Sequence, residues 1–285
     1  MVVYYNTTFM CCNSAGRIFS YNCIDMTQDP FSTLLIALIA AHLVGDFLFQ
    51  TRSDAERKNE PLILIKHAGL VAATSYVLAG LWSVWLIPAG VFLSHAIVDP
   101  VKLVLGKKLN QSVRTQLGLF IADQFIHLVI IVFIAQWVIA TAAGEHIYWM
   151  GLFGEAYGVV LVVAGGLILI TKVGGICIGM IVQPYLNQIQ SHAQQNETNS
   201  RGLEDGGKII GYLERFLIYV FIIAGFPLGI GFLITAKSVF RFGEVSNPAK
   251  RMEAEYIIIG TLMSFAYAVA VGYGVYAVLG VYIVE

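Results

Sequence analysis

Hydrophobic residues dominate this chain in long runs, and the runs predict its elements. A bilayer core needs about 20 apolar residues per helix. Seven segments reach that length, Phe31 to Thr51, Leu62 to Gly80, Trp82 to Leu105, Thr115 to Ala140, Ala156 to Val182, Ile209 to Thr235 and Glu255 to Val281. The predicted fold is an all-α polytopic membrane helix bundle of about seven spans. Inside the sixth segment, AGFPLGIG sets Pro227 among glycines. It raises two alternatives, a single tilted helix or a re-entrant hairpin whose irregular backbone protein would have to cover.

The polar positions divide the chain into residues 1–30, 31–140 and 141–285. The first part has neither the basic-then-apolar order of a signal peptide nor a helical or strand period, so it reads as a leader that is non-cytoplasmic or not native, with Met26 as a second candidate start. The second is a four-span bundle. The third is a three-span half whose polar stretch at 184–208 reads as a cytoplasmic loop. No internal repeat links the halves.

Charge orients the spans, because Lys and Arg concentrate on the cytoplasmic side. Arg52, Arg57 and Lys58 follow span one, Lys107, Lys108 and Arg114 follow span three, and Arg201 and Lys208 follow span five. The loop from Thr141 to Glu155 has no Lys or Arg. These positions predict an N-terminus outside. Lys237, Arg241, Lys250 and Arg251 break the rule for seven simple crossings, which the re-entrant alternative would repair.

Composition agrees with a membrane protein, with 58% hydrophobic residues, 12% charged and a mean hydropathy of +0.75. A net charge of −1 supplies no basic field for nucleic acid. Four cysteines are too few for a disulfide framework.

Against this background the ionisable residues inside the spans stand out. AHLVGDFLFQ places His42, Asp46 and Gln50 at four-residue intervals in span one. SHAIVDP pairs His95 with Asp99, ADQFIHL pairs Asp123 with His127, and IKHAG adds His67. Residues four apart share a helix face. Counted from the predicted span ends at about 1.5 Å per residue, all seven His and Asp side chains fall roughly 7 to 17 Å below the cytoplasmic face. Burying such groups costs several kcal/mol each unless they are partnered. Their nitrogen and oxygen donors suit one or two divalent transition-metal ions, zinc first. Gln50 and Gln124 are candidates for orienting the imidazoles, and Asp46 or Asp123 for moving a proton. Lys66 and Lys102 read as interfacial anchors.

In the second half, Lys172 is a candidate either for neutralising an aspartate of this layer or for holding an anionic substrate. Glu214, Arg215, Lys237 and Arg241 read as interfacial charge pairs or as a basic pocket for a lipid head group or phosphate.

The motifs HLVGDFLFQ, KHAG, SHAIVDPVK and DQFIHL, in that order, resemble a bacterial family of multi-span membrane proteins catalogued as domain of unknown function 3307. The resemblance implies a bacterial inner membrane protein and brings no established activity. More loosely, the His and Asp pairs are similar to those of membrane-bound metal-dependent hydrolases. Three functions are weighed: a metal-dependent hydrolase acting at the cytoplasmic interface on a phosphorylated or lipid-linked substrate, a proton- or metal-coupled transporter, and a structural or binding protein. A polar layer near one face, rather than at the midplane, favours the hydrolase.

Overall fold

The structure, a computed structural model, describes residues 9–12, 18–21, 29–109, 112–141, 146–195, 206–245 and 251–283. Met26 and the centre of the polar loop lie outside them. Ahead of the bundle, β1 (Phe9–Cys12) and β2 (Ile18–Tyr21) form an antiparallel hairpin that pairs Phe9 with Tyr21. Four-residue strands are too short to show a period in sequence, which is why none was visible.

The rest is helical. Helix α1 (Pro30–Val44) starts where Asp29 accepts from the backbone N–H groups of Phe31 and Ser32 and Pro30 occupies the first turn. It continues as a π-helical turn, Gly45–Phe49. After the short α2 (Arg52–Glu56) come α3 (Pro61–Ala79), α4 (Leu86–Lys108) and α5 (Val113–Thr141). Next are α6 (Tyr148–Phe153) and α7 (Glu155–Ile168), which passes through a second π-helical turn, Leu169–Val173, into α8 (Gly174–Gln195). The chain ends with α9 (Gly206–Ile223), α10 (Leu228–Val245) and α11 (Arg251–Ile283).

Among the described residues six helices are long and apolar enough to cross a membrane: Pro30–Phe49, Pro61–Ala79, Leu86–Lys108, Val113–Thr141, Glu155–Ile189 and Ala254–Gly280. The outer surface fits that role. Large apolar side chains such as Leu62, Phe125, Val160, Leu228 and Phe232 are exposed, as lipid permits and water does not. This is an integral membrane protein built as an all-α bundle.

The expected sixth span, Ile209 to Thr235, is not one helix. Gly225, at φ +68°, and Pro227 stop α9, and α10 folds back on it. Lys237 returns to the level of Glu214, 2.6 Å from its carboxylate, so α9 and α10 form an antiparallel hairpin. The tilted single helix is thereby excluded, and the second half of α10 returns toward the side where α9 begins.

Helix α1 is the most enclosed span, packed against α3, α5 and α7. Gly45 lets α3 come this close, since a Cβ there would stand 2.7 Å from Val71 Cγ2. At the opposite end from Lys58 and Lys102, Tyr76, Trp82, Trp85, Tyr148 and Trp149 interlock their rings around the α3–α4 turn, like an interfacial aromatic belt.

Candidate functional site

The π-helical turn at the end of α1 aims Asp46 inward, and α3, α4 and α5 bring the other ionisable groups to it. His42, Asp46, His67, His95, Asp99, Asp123 and His127 are all at most 9% exposed. The rings of His95 and His127 stack at 4.2 Å, His42 lies 5.1 Å from His127, and His67 lies 5.5 Å from His95. Asp46 is the centre. Its Oδ1 has His95 Nε2 at 3.3 Å, His67 Nε2 at 3.5 Å and His42 Nδ1 at 3.7 Å.

The surrounding hydrogen bonds fix what two of those nitrogens present. His95 Nδ1 is 2.9 Å from the Val91 carbonyl, which can only accept, so Nδ1 carries the proton. A neutral His95 therefore turns a lone pair, on Nε2, toward the Asp46 carboxylate. Gln124 Nε2 donates to Asp123 Oδ2 at 3.2 Å, which leaves Gln124 Oε1 facing His42 Nε2 at 3.3 Å. His42 must then donate from Nε2, and its bare Nδ1 also faces Asp46. Acceptor meets acceptor twice in a buried interior, an opposition that a proton or a metal cation between them would relieve.

The donor set fits such an ion. Two donors each about 2.1 Å from a tetrahedral ion stand about 3.4 Å apart, close to the spacings around Asp46 Oδ1. Ligand atoms of Asp46, His67 and His95 all lie within 4.8 Å of one another, as do those of Asp99, Asp123 and His127, and those of His42, His95 and His127. His42 Nδ1, His67 Nε2, Asp123 Oδ1 and His127 Nε2 are buried with no hydrogen-bond partner.

Two lysines complete the layer. Lys58 Nζ lies 2.9 Å from Asp99 Oδ2, and Lys102 Nζ lies 2.7 Å from Asp123 Oδ2 and 5.6 Å from the Phe120 ring centre. Lys102 is thus an ion-pair partner of the layer rather than the interfacial anchor expected. The signal was present, since His95, Asp99 and Lys102 follow one helical stripe. Lys58 sits in the linker after α2 and carried no such signal. Lys66 points elsewhere, to Asp54 at 3.2 Å, and together with the Thr51 hydroxyl it holds that carboxyl below its usual range.

Other expected residues are placed differently. Gln124 touches His42, but the Gln50 amide nitrogen is buried without a partner and bonds no imidazole. Lys172 neutralises no aspartate. It is exposed on the second π-helical turn and pairs with none of the described residues. Arg215 is buried and supports that turn, donating to the carbonyls of Ile170 and Thr171 and to Ser264 Oγ, while Tyr267 donates to the Leu169 carbonyl. A π-turn disturbs the helix ladder, and these side chains add donors to the carbonyls of Leu169, Ile170 and Thr171, the first and last of which also accept from the Gly174 N–H. Glu214 pairs with Lys237, and the side chain of Arg241 lies outside the described residues.

Residues 34–151 match the model of a family described as "Protein of unknown function (DUF3307)". The match holds all seven His and Asp residues, Lys58 and Lys102, and stops before α7. No curated protein and no solved structure matches the chain.

Proposed function

We propose that this membrane protein, whose residues 34–151 match the model of the family of unknown function DUF3307, is a hydrolase with a transition-metal centre, zinc by donor preference. The observation that carries the reading is at Asp46. Among the three carboxylates of the layer it alone has no lysine within ion-pair distance, and two imidazole lone pairs face it.

Counting Asp46, Asp99 and Asp123 against Lys58 and Lys102, with neutral imidazoles, leaves one uncompensated negative charge, which a cation offsets. Asp46, His67 and His95 would hold the ion, a two-histidine, one-carboxylate set of the kind that leaves a position for water. When bound, it would bring the pKa of that water toward ~7. His42 Nδ1, 3.7 Å from Asp46 Oδ1, is placed to take the proton. His42 suits this role better than Asp123, whose Oδ2 is held by Lys102 and Gln124. Val91 and Gln124 orient the imidazoles through their opposite nitrogens.

Asp46 lies three residues from the end of its span, so the centre sits close to the face bearing Lys58, Lys107 and Lys108. We assign that face to the bacterial cytoplasm and the N-terminus to the outside. Phosphorylated or lipid-linked esters meet the site there. A second reading, a proton-coupled transporter, draws on the close imidazoles, which a proton would bridge as well as a metal.

The deciding experiment combines elemental analysis of protein purified without chelators with hydrolysis of lipid and generic phosphoesters in proteoliposomes. About one zinc per chain and zinc-dependent turnover support the hydrolase. Metal-free protein that carries a proton flux refutes it in favour of the transporter.

A further inference from the structure

Asp99 and Asp123 use their oxygens in the same divided way. Each gives Oδ2 to a lysine, at 2.9 Å for Lys58 and 2.7 Å for Lys102. Each turns Oδ1 toward His127 Nε2, at 3.9 Å from Asp99 and 3.8 Å from Asp123. Asp123 Oδ1 and His127 Nε2 are buried and bond nothing, in residues 4% and 1% exposed.

We propose that Asp99, Asp123 and His127 form a second cation site, for a hard divalent ion such as Mn²⁺ or Mg²⁺, which Lys58 and Lys102 hold closed as internal counter-charges. Two oxygens and one nitrogen make a harder donor set than the one around Asp46, and oxygen-rich sites select such ions. The two ammonium groups already neutralise both carboxylates. A divalent ion placed beside them would meet two positive charges in a low-dielectric interior, in addition to any ion held by Asp46. Binding therefore requires the lysines to withdraw. The Lys102 side chain is 32% exposed, and Lys58, whose side chain is 10% exposed, is carried by the linker before α3 rather than by a span, which gives it a route out. Occupancy of the second site is thus coupled to release of two basic side chains at the face where substrate would approach. The inference rests on the reading that this layer binds metal, and not on hydrolysis.

The test titrates Mn²⁺ into the full-length protein, loaded with one equivalent of zinc, and follows loss of the free Mn²⁺ paramagnetic resonance signal. Lys58→Gln and Lys102→Gln remove the charge but keep a hydrogen-bond donor for the carboxylate, so the fold survives. Each should bind Mn²⁺ at least ~10-fold more tightly than wild type. Asp123→Asn should abolish Mn²⁺ binding while leaving the zinc equivalent in place. Unchanged or weaker Mn²⁺ affinity in both lysine variants overturns the proposal, as does Asp123→Asn binding Mn²⁺ like wild type. Should zinc fail to bind, the hydrolase reading falls, and the same titration on zinc-free protein still decides the second site.

Discussion

His95 presents Nε2 to Asp46 Oδ1 at 3.3 Å, from α4 to the π-helical end of α1, while its Nδ1 is spent on the Val91 carbonyl. A neutral imidazole so committed has no proton to offer the carboxylate.

Asp46→Asn exchanges the uncompensated charge for a neutral amide of nearly equal size. Zinc affinity should fall by roughly 100-fold or more and hydrolysis with it, while the helical circular dichroism stays unchanged. Equilibrium dialysis measures the first effect. Asp46→Asn protein that retains its zinc would place the ion elsewhere.

His95→Ala removes one donor but keeps the apolar faces of α4. The expected outcome is a folded, monodisperse protein without bound metal or turnover, read by gel filtration and elemental analysis.

Acid should release the metal before it unfolds the bundle. Imidazoles ligate only when neutral, so each bound histidine that protonates on release makes affinity fall about tenfold per pH unit below its metal-free titration range. A titration with a chromophoric chelator between about pH 8 and 5 reads this. Affinity that rises as the pH falls would exclude histidine ligands.

Gly45→Ala should strain the α1–α3 contact, because its Cβ would stand 2.7 Å from Val71 Cγ2. We expect a loss of about 1–3 kcal/mol, partly restored by Val71→Ala, measured as thermal stability in detergent.

The α9–α10 hairpin predicts that a cysteine at Glu244, near the end of α10, labels from the same side as one at Lys107, and from the opposite side to one at Trp85. Labelling of the Glu244 cysteine together with the Trp85 cysteine would mean that residues 206–245 cross the membrane.

Much of the bundle was legible in the chain because lipid imposes one rule. Every backbone polar group must be satisfied within its own segment, so a long apolar run has to be a helix. The periodicity of four then named six of the seven buried His and Asp residues, since i and i+4 must share a face wherever the helix sits, while His67 stood out only as an ionisable group inside a span. The same logic marked Pro227 as a break but not its consequence. Whether α10 turns back depends on Lys237 finding Glu214, a contact between residues 23 positions apart. Tertiary structure alone decided how charges were partnered. Lys58 and Lys102 belong to the polar layer and Lys172 does not, because pairing depends on which side chain reaches across to a neighbouring helix. It also decided that Asp46, unlike Asp99 and Asp123, has no lysine within ion-pair distance. A sequence states which groups are expensive to bury; only the packing of α1, α3, α4 and α5 states which of them receives a partner.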